Sequence, residues 1–367
     1  MHVLNLFQSK NKNMIRKNAR WIILSLMGLF IGTLLLPFIC KQDSGNSNSA
    51  ASNVVPQKPL PNLDIPKFDP NSAYDFTDKI IAIGPRVVGS PGAQKVRAYI
   101  IEQFKKFGAI VTEQPFTANI YDGKKLPAVN IIARTNLQAT KRIFLSAHWD
   151  SRPFADDDKD ISKKKLPVAG ADDSGSAIGT LLEIARQLQL KPLADIGVDF
   201  ILFDAEDYGD ASKTNGPFSP EQSYALEHSW GLGAQYWASH LHVPGYAPIY
   251  GVNLDMIGAR SAHFPKEGQS LKYAPAVVEK IWRVGRYSGY TNYFSEEVGQ
   301  GITDDHKFVN EIAHLPTVDI VNLNTETTFG EYHHTAHDTM DILDKETMKA
   351  VGQTLLSVLH YEQANAF

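Results

Sequence analysis

Apolar and polar positions along this chain follow two rhythms. At 92–107 and again at 173–190 the apolar residues recur at helical spacing, with Ile178, Leu181, Leu182, Ile184, Ala185 and Leu188 marking one face of the second stretch. A third helix is predicted over 231–240, opened by Trp230, with Tyr236 and Trp237 as its core residues. Between these lie short apolar runs at 130–134, 142–147, 198–203, 249–254 and 317–321, the composition of strands buried on both faces. The first two are close in sequence and read as a hairpin-like pair. The alternation predicts an α/β fold: a three-layer sandwich with a central, mixed, mostly parallel twisted sheet flanked by helices.

The predicted strands stop on polar groups. One ends at His148-Trp149-Asp150, another at Asp204-Ala205-Glu206-Asp207, a third at Asp255. In open α/β sheets the ligand crevice lies beyond the carboxyl ends of the strands, so these ends point at one site. The segment 209–229, rich in Ser, Pro and Gly, is too long for a plain connector and is expected to wall that site. The run Asp156-Asp157-Asp158 reads as a solvated loop.

The amino-terminal part departs from this pattern. Five basic residues, Lys10 to Arg20, precede the apolar run 21–39, and Cys40 and a tract rich in Ser and Asn follow, the layout of an export segment or an uncleaved membrane anchor. Residues 1–40 are therefore assigned to a signal, lipoprotein or anchor segment, 41–67 to a flexible linker, and 68–367 to a single catalytic domain. Cys40 is the sole cysteine, so the body forms no internal disulfide; its position suggests lipidation, although Pro37-Phe38-Ile39 before it lack small side chains. The expected place is a bacterial periplasm or envelope membrane. A net charge of −4, a pI near 6.3 and scattered basic residues exclude nucleic acid as a partner. A monomer is expected.

His148, Asp173, Glu206, Asp207, Asp255 and His334 form an N/O donor set that suits zinc without a thiolate. They stand in ordered motifs: Ala147-His148-Trp149-Asp150-Ser151, Gly170-Ala171-Asp172-Asp173-Ser174-Gly175, Asp204-Ala205-Glu206-Asp207, Asn253-Leu254-Asp255-Met256 and His334-Thr335-Ala336-His337-Asp338-Thr339. This order resembles the zinc aminopeptidase superfamily over about 130–341. The resemblance makes Asp173, Asp207 and His334 the zinc ligands, Glu206 the catalytic acid/base, and His148 and Asp255 matches to ligands of a second metal. It selects Asp173 over Asp172 by the distance to Glu183, selects His334 over His333 and His337, leaves His333 lining the pocket, and implies a cis peptide at Asp173-Ser174.

Within that superfamily the chain is similar to the glutaminyl cyclase branch, which holds one zinc per chain. Ile302-Thr303-Asp304-Asp305-His306 resembles the segment whose first Asp contacts the leaving amide, which gives that role to Asp304. Phe329 matches the aromatic that packs on the substrate, and Trp230 the pocket tryptophan. Three positions depart from the animal enzymes: His333 and Asp319 replace a tryptophan and a histidine, and Asp207 replaces a glutamate. The resemblance implies conversion of the N-terminal glutamine of peptides to pyroglutamate, with Asp255 orienting the α-amino group. The alternatives are a two-zinc aminopeptidase and an inactive binding module; every ligand position is filled, which counts against the second.

Overall fold

The computed structural model describes residues 59–212, 217–323 and 329–367. The export segment, Cys40 and most of the linker lie outside them. Among the described residues no helix is long and apolar enough to cross a membrane.

Among the described residues eight strands occur in chain order: β1 Ile110–Asn119, β2 Lys125–Arg134, β3 Lys141–His148, β4 Ile196–Phe203, β5 Gly251–Asp255, β6 Phe264–Lys266, β7 Phe294–Val298 and β8 Thr317–Val321. Six form the main sheet in the order β1-β2-β4-β3-β5-β8, and β6 with β7 make a small ribbon. The pairs β1/β2 and β2/β4 are antiparallel, while β4/β3, β3/β5 and β5/β8 are parallel, so the sheet is mixed as expected. Period-two alternation sorts the strands between two apolar layers. Ile143, Leu145 and Ala147 of β3 join one layer together with Val198, Phe200 and Leu202 of β4. Phe144, Ile201 and Phe203 join the other. The first layer is covered by the helices Pro70–Ile83, Pro91–Lys106, Ala177–Leu190, Pro275–Tyr287 and Lys345–Gln363. The second is covered by Leu232–Ser239 and the turn over Asp305–Phe308.

Four local readings are corrected. The runs at 130–134 and 142–147 do not pair, because β4 lies between them and pairs with both. β3 is buried along nearly its whole length and needs a neighbour on each side, which β4 and β5 supply. The true hairpin partner of β2 is β1, an edge strand so polar and exposed that no apolar run marks it. The helix predicted to begin at Asp173 begins instead at Ala177, and Ala171–Ser176 form a distorted turn. Residues 59–67, assigned to the linker, lie on the body: Leu60 is buried in the core, and Leu63 and Ile65 pack against it. The segment 209–229 is not irregular throughout, since it holds a helix over Pro220–Glu227 with a capping box from Ser219 and Gln222.

Candidate active site

The carboxyl ends of β4 and β5 open on one cavity of about 730 Å³, and His148 at the end of β3 touches its lining residues Asp173 and Asp255. Sharp turns aim the side chains there. Ala205, Met256 and His334 all adopt left-handed backbone, with φ of 59, 50 and 52°, and each stands at or beside a site residue. Asp173 reaches the cavity from the turn over 171–176, where the Asp173-Ser174 peptide is cis, as the resemblance implied. Its backbone is held by Asp338, whose carboxylate accepts the N–H groups of Asp172 and Asp173 at 2.7 and 3.2 Å. Asp150 does the same for the next strand end, accepting the N–H groups of Glu206 and Asp207 at 3.0 and 3.2 Å. Both aspartates stand inside the sequence motifs, and it is the structure that gives each of them a role. Their signal is spacing, two residues after His148 and four after His334.

Asp173, Asp207 and His334 offer one donor atom each, all within 4.8 Å of one another. His334 Nε2 lies 2.9 Å from Asp207 Oδ1 and 3.8 Å from Asp173 Oδ2. A tetrahedral zinc with bonds of about 2.1 Å spaces its donors about 3.4 Å apart, within this range. Both oxygens of the Asp207 carboxylate are buried without a hydrogen-bond donor, an arrangement that costs free energy unless a cation satisfies it. Burial and the Arg152 cation push the His334 imidazole down to about 4, so it is neutral and can ligate. The residues fit zinc.

A second trio shares Asp173. His148 Nε2 lies 2.9 Å from Asp173 Oδ1 and 3.2 Å from Asp255 Oδ1, while its Nδ1 faces Asp150 at 3.6 Å. Burial would lower the His148 value, but hydrogen bonds to Asp150, Asp173 and Asp255 raise it well above the usual range, so this ring acts as a donor between carboxylates. Asp172 points away from the cavity, taking hydrogen bonds from Tyr332 Oη, Ser176 Oγ and the Gly258 N–H at 2.5, 2.8 and 2.6 Å.

Glu206, Asp255 and Asp304 line the same cavity, with Trp230, Phe329 and His333. Burial pushes the Glu206 carboxyl well above the carboxylate range, and Asp207 and Asp304 push the same way. Asp304 Oδ2 accepts from Asn253 Nδ2 at 3.2 Å, and the same nitrogen reaches Asp319 Oδ1 at 3.4 Å behind it. His333 stacks on His334 with centroids 3.6 Å apart, and Phe329 lies tilted against His333 at 4.5 Å. Asp210, Ala211, Ser212 and Leu226 of the segment 209–229 add to the wall. The run 156–158 is not a solvated loop: Asp156 pairs with Arg152 at 2.6 Å, and buried Asp158 accepts the N–H of Ala336 at 3.0 Å. Trp237 is core, and Tyr236, less buried, stacks on Phe116 at 4.8 Å.

Residues 130–359, which carry every donor named above, match the profile of peptidase family M28. The chain belongs to peptidase family M28. Among solved structures, this M28 member is 41% identical to the Bacteroides thetaiotaomicron glutaminyl cyclase bound to N-acetylhistamine, with a TM-score of 0.76 over 81% of this chain and 99% of that one. It is 44% identical to a zinc-dependent exopeptidase from Parabacteroides distasonis, with a TM-score of 0.75 over 80% and 99%. Among curated proteins, the glutaminyl-peptide cyclotransferase of Gloydius blomhoffii is 27% identical over 305 residues, 75% of this M28 chain and 77% of the relative.

Proposed function

We propose that the chain is a zinc-dependent glutaminyl-peptide cyclotransferase that converts the N-terminal glutamine of peptides and proteins to pyroglutamate and releases ammonia. The observation that carries this reading is the meeting of Asp304, Trp230 and Phe329 with the Asp173-Asp207-His334 trio and Glu206 in one cavity. The likeness to the Bacteroides cyclase supports it.

Asp173, Asp207 and His334 would hold one zinc per chain, which would supply Lewis-acid polarisation of the glutamine γ-carbonyl. Glu206 takes a proton from the α-amine as that nitrogen bonds to the γ-carbon. It then returns the proton to the amide nitrogen as the old C–N bond breaks, so the leaving group departs as neutral ammonia. Its high proton affinity in this buried setting suits a group that must both hold and return a proton. Asp255 orients the α-amino group, and Asp304 accepts an N–H of the leaving amide. Trp230, Phe329 and His333 hold the side chain folded back and keep water out. Much of the rate gain is positional, because ring closure is intramolecular.

The second reading is a two-zinc aminopeptidase, favoured by the gathering of His148, Asp173 and Asp255 beside the first trio. Incubation of residues 59–367 with zinc and a Gln-initiated peptide separates the two. Loss of one ammonia from an intact peptide, read by mass spectrometry, is expected; release of free glutamine with two zinc per chain would move the enzyme to the aminopeptidases.

The basic, apolar and Cys40 pattern at the amino terminus supports an exported enzyme in a bacterial envelope, held by an anchor or a lipid. Cell fractionation should recover it with envelope membranes, and a soluble cytosolic enzyme would count against this placement.

A further inference from the structure

Arg152 takes no part in the steps above, yet it touches several parts of the site's framework at once. Its side chain is buried. Nε and Nη2 grip the Asp156 carboxylate at 3.1 and 2.6 Å, while Nη1 donates to the peptide carbonyls of Asp207 and Gly209, both at 2.9 Å. The guanidinium carbon sits 4.8 Å from the centre of the Trp230 ring. That ring in turn lies parallel to His334, within 9° and with centroids 5.8 Å apart. Next to Asp156, the N–H of Asp157 bonds to the His334 carbonyl at 3.1 Å.

A packing role alone would not need this group. Buried ion pairs add little net stability over apolar side chains of equal volume, and an unbranched apolar side chain would fill the space. What the planar fork adds is direction: three bonded partners and one ring face, each fixed relative to the others. The partners belong to different tasks, since Asp207 is a ligand of the trio and Trp230 is a wall of the pocket.

We propose that Arg152 is a positioning residue that sets the ligand Asp207 and the pocket wall Trp230 from one guanidinium, so that metal affinity and substrate affinity are coupled through it. This rests on the assignment of the trio and the pocket, and its first measurement needs no turnover. Lysine keeps the charge and loses the fork. In Arg152→Lys, chelator competition on the metal-free protein should show zinc binding weakened by about 10- to 100-fold, the usual cost of losing an outer partner of a ligand. At saturating zinc the KM for a glutaminyl peptide should rise roughly 3- to 30-fold, the range of a lost cation–π contact, with kcat changed less than about 3-fold.

Trp230→Leu should raise KM while leaving zinc affinity within about 3-fold, and the two substitutions together should raise KM by less than the product of their separate effects. The idea is overturned if Arg152→Lys melts as a folded chain with zinc affinity and KM both within about 2-fold of the unaltered protein, or if the KM effects multiply independently. Should Arg152→Lys fail to fold, Asp156→Asn releases one side of the fork and should weaken zinc binding in the same direction by a smaller factor. Unchanged zinc affinity there overturns the coupling as well. Absence of cyclase turnover with the zinc effect intact would remove the cyclisation reading and leave this one standing.

Discussion

Glu206 is the residue on which the proposed chemistry turns, because it must lose and regain a proton while Asp207, the proposed ligand, stays in place beside it. The two share a strand-end turn whose N–H groups are both pinned by Asp150. Glu206→Gln keeps the shape and those bonds and removes only the proton transfer. Turnover should therefore fall by about 10²- to 10⁴-fold while zinc content, read by metal analysis, stays at the unaltered level. The donor residues were legible in the sequence because each ends an apolar run or sits in an ordered motif, and the resemblance could then be carried position by position. Asp150 and Asp338 were not legible as supports, because they act on backbone N–H groups and nothing in their residue type announces it. Arg152 was silent for the same reason, because beyond the nearby Asp156 carboxylate its partners are carbonyls and a ring that only the fold brings near.

Among the elements, the segment between β4 and the helix Leu232–Ser239 shows how closely backbone and pocket are fitted. A Cβ at Gly209 would lie 2.0 Å from the Trp230 ring. Gly209→Ala should displace the indole, cost about 1–3 kcal/mol of stability by overpacking, and raise KM more than it lowers kcat. Urea denaturation with steady-state kinetics checks both, and an unchanged KM would mean that Trp230 does not wall the substrate. The strands buried on both faces were read from their apolar runs to within a few residues. β1 was missed because it is an edge strand with few apolar positions, and the pairing of β2 and β3 was misread because nearness in sequence does not reveal an inserted strand. Asp199 of β4, buried, takes the Arg142 side chain of β3 and also pairs with Arg134 of β2 at 3.4 Å, so β4 binds both of the strands it separates.

For the molecule as a whole, the three-layer architecture was legible from the alternation of helices and strands, while the amino-terminal segment expected to direct export lies outside the described residues. Global stability carries a signature from a buried pair beyond the cavity. Glu267 accepts from His306 Nε2 at 3.0 Å and from the N–H groups of Gln269, Ser270 and Ile302. Burial alone would raise the Glu267 carboxyl, but His306 and these donors hold it at about 2, below its unfolded 4.5. Burial would lower His306, but Glu267 raises it above its unfolded 6.5. The carboxylate's contribution is present above pH 4.5 and lost as pH falls through about 2; that of the imidazole is present below 6.5 and lost as pH rises through its raised folded value. The loss of unfolding free energy in His306→Gln should thus be greatest between pH 4.5 and 6.5 and shrink on either side, as read by urea titrations across that range. A flat difference across pH would mean that the pair is not ionised in the folded chain.

The sheet order places β8, the last strand in the chain, against β5, and His334 follows it. A chain interrupted before residue 317 lacks an imidazole for the trio, a sheet edge and the closing helix together. Parallel pairing between distant segments forms late, since their ends must first be brought together. If the proposed trio holds zinc, metal capture would therefore test completion: a fragment that carries Asp173 and Asp207 without His334 should fail to retain zinc, and tight retention would report that the carboxyl-terminal part has arrived and folded.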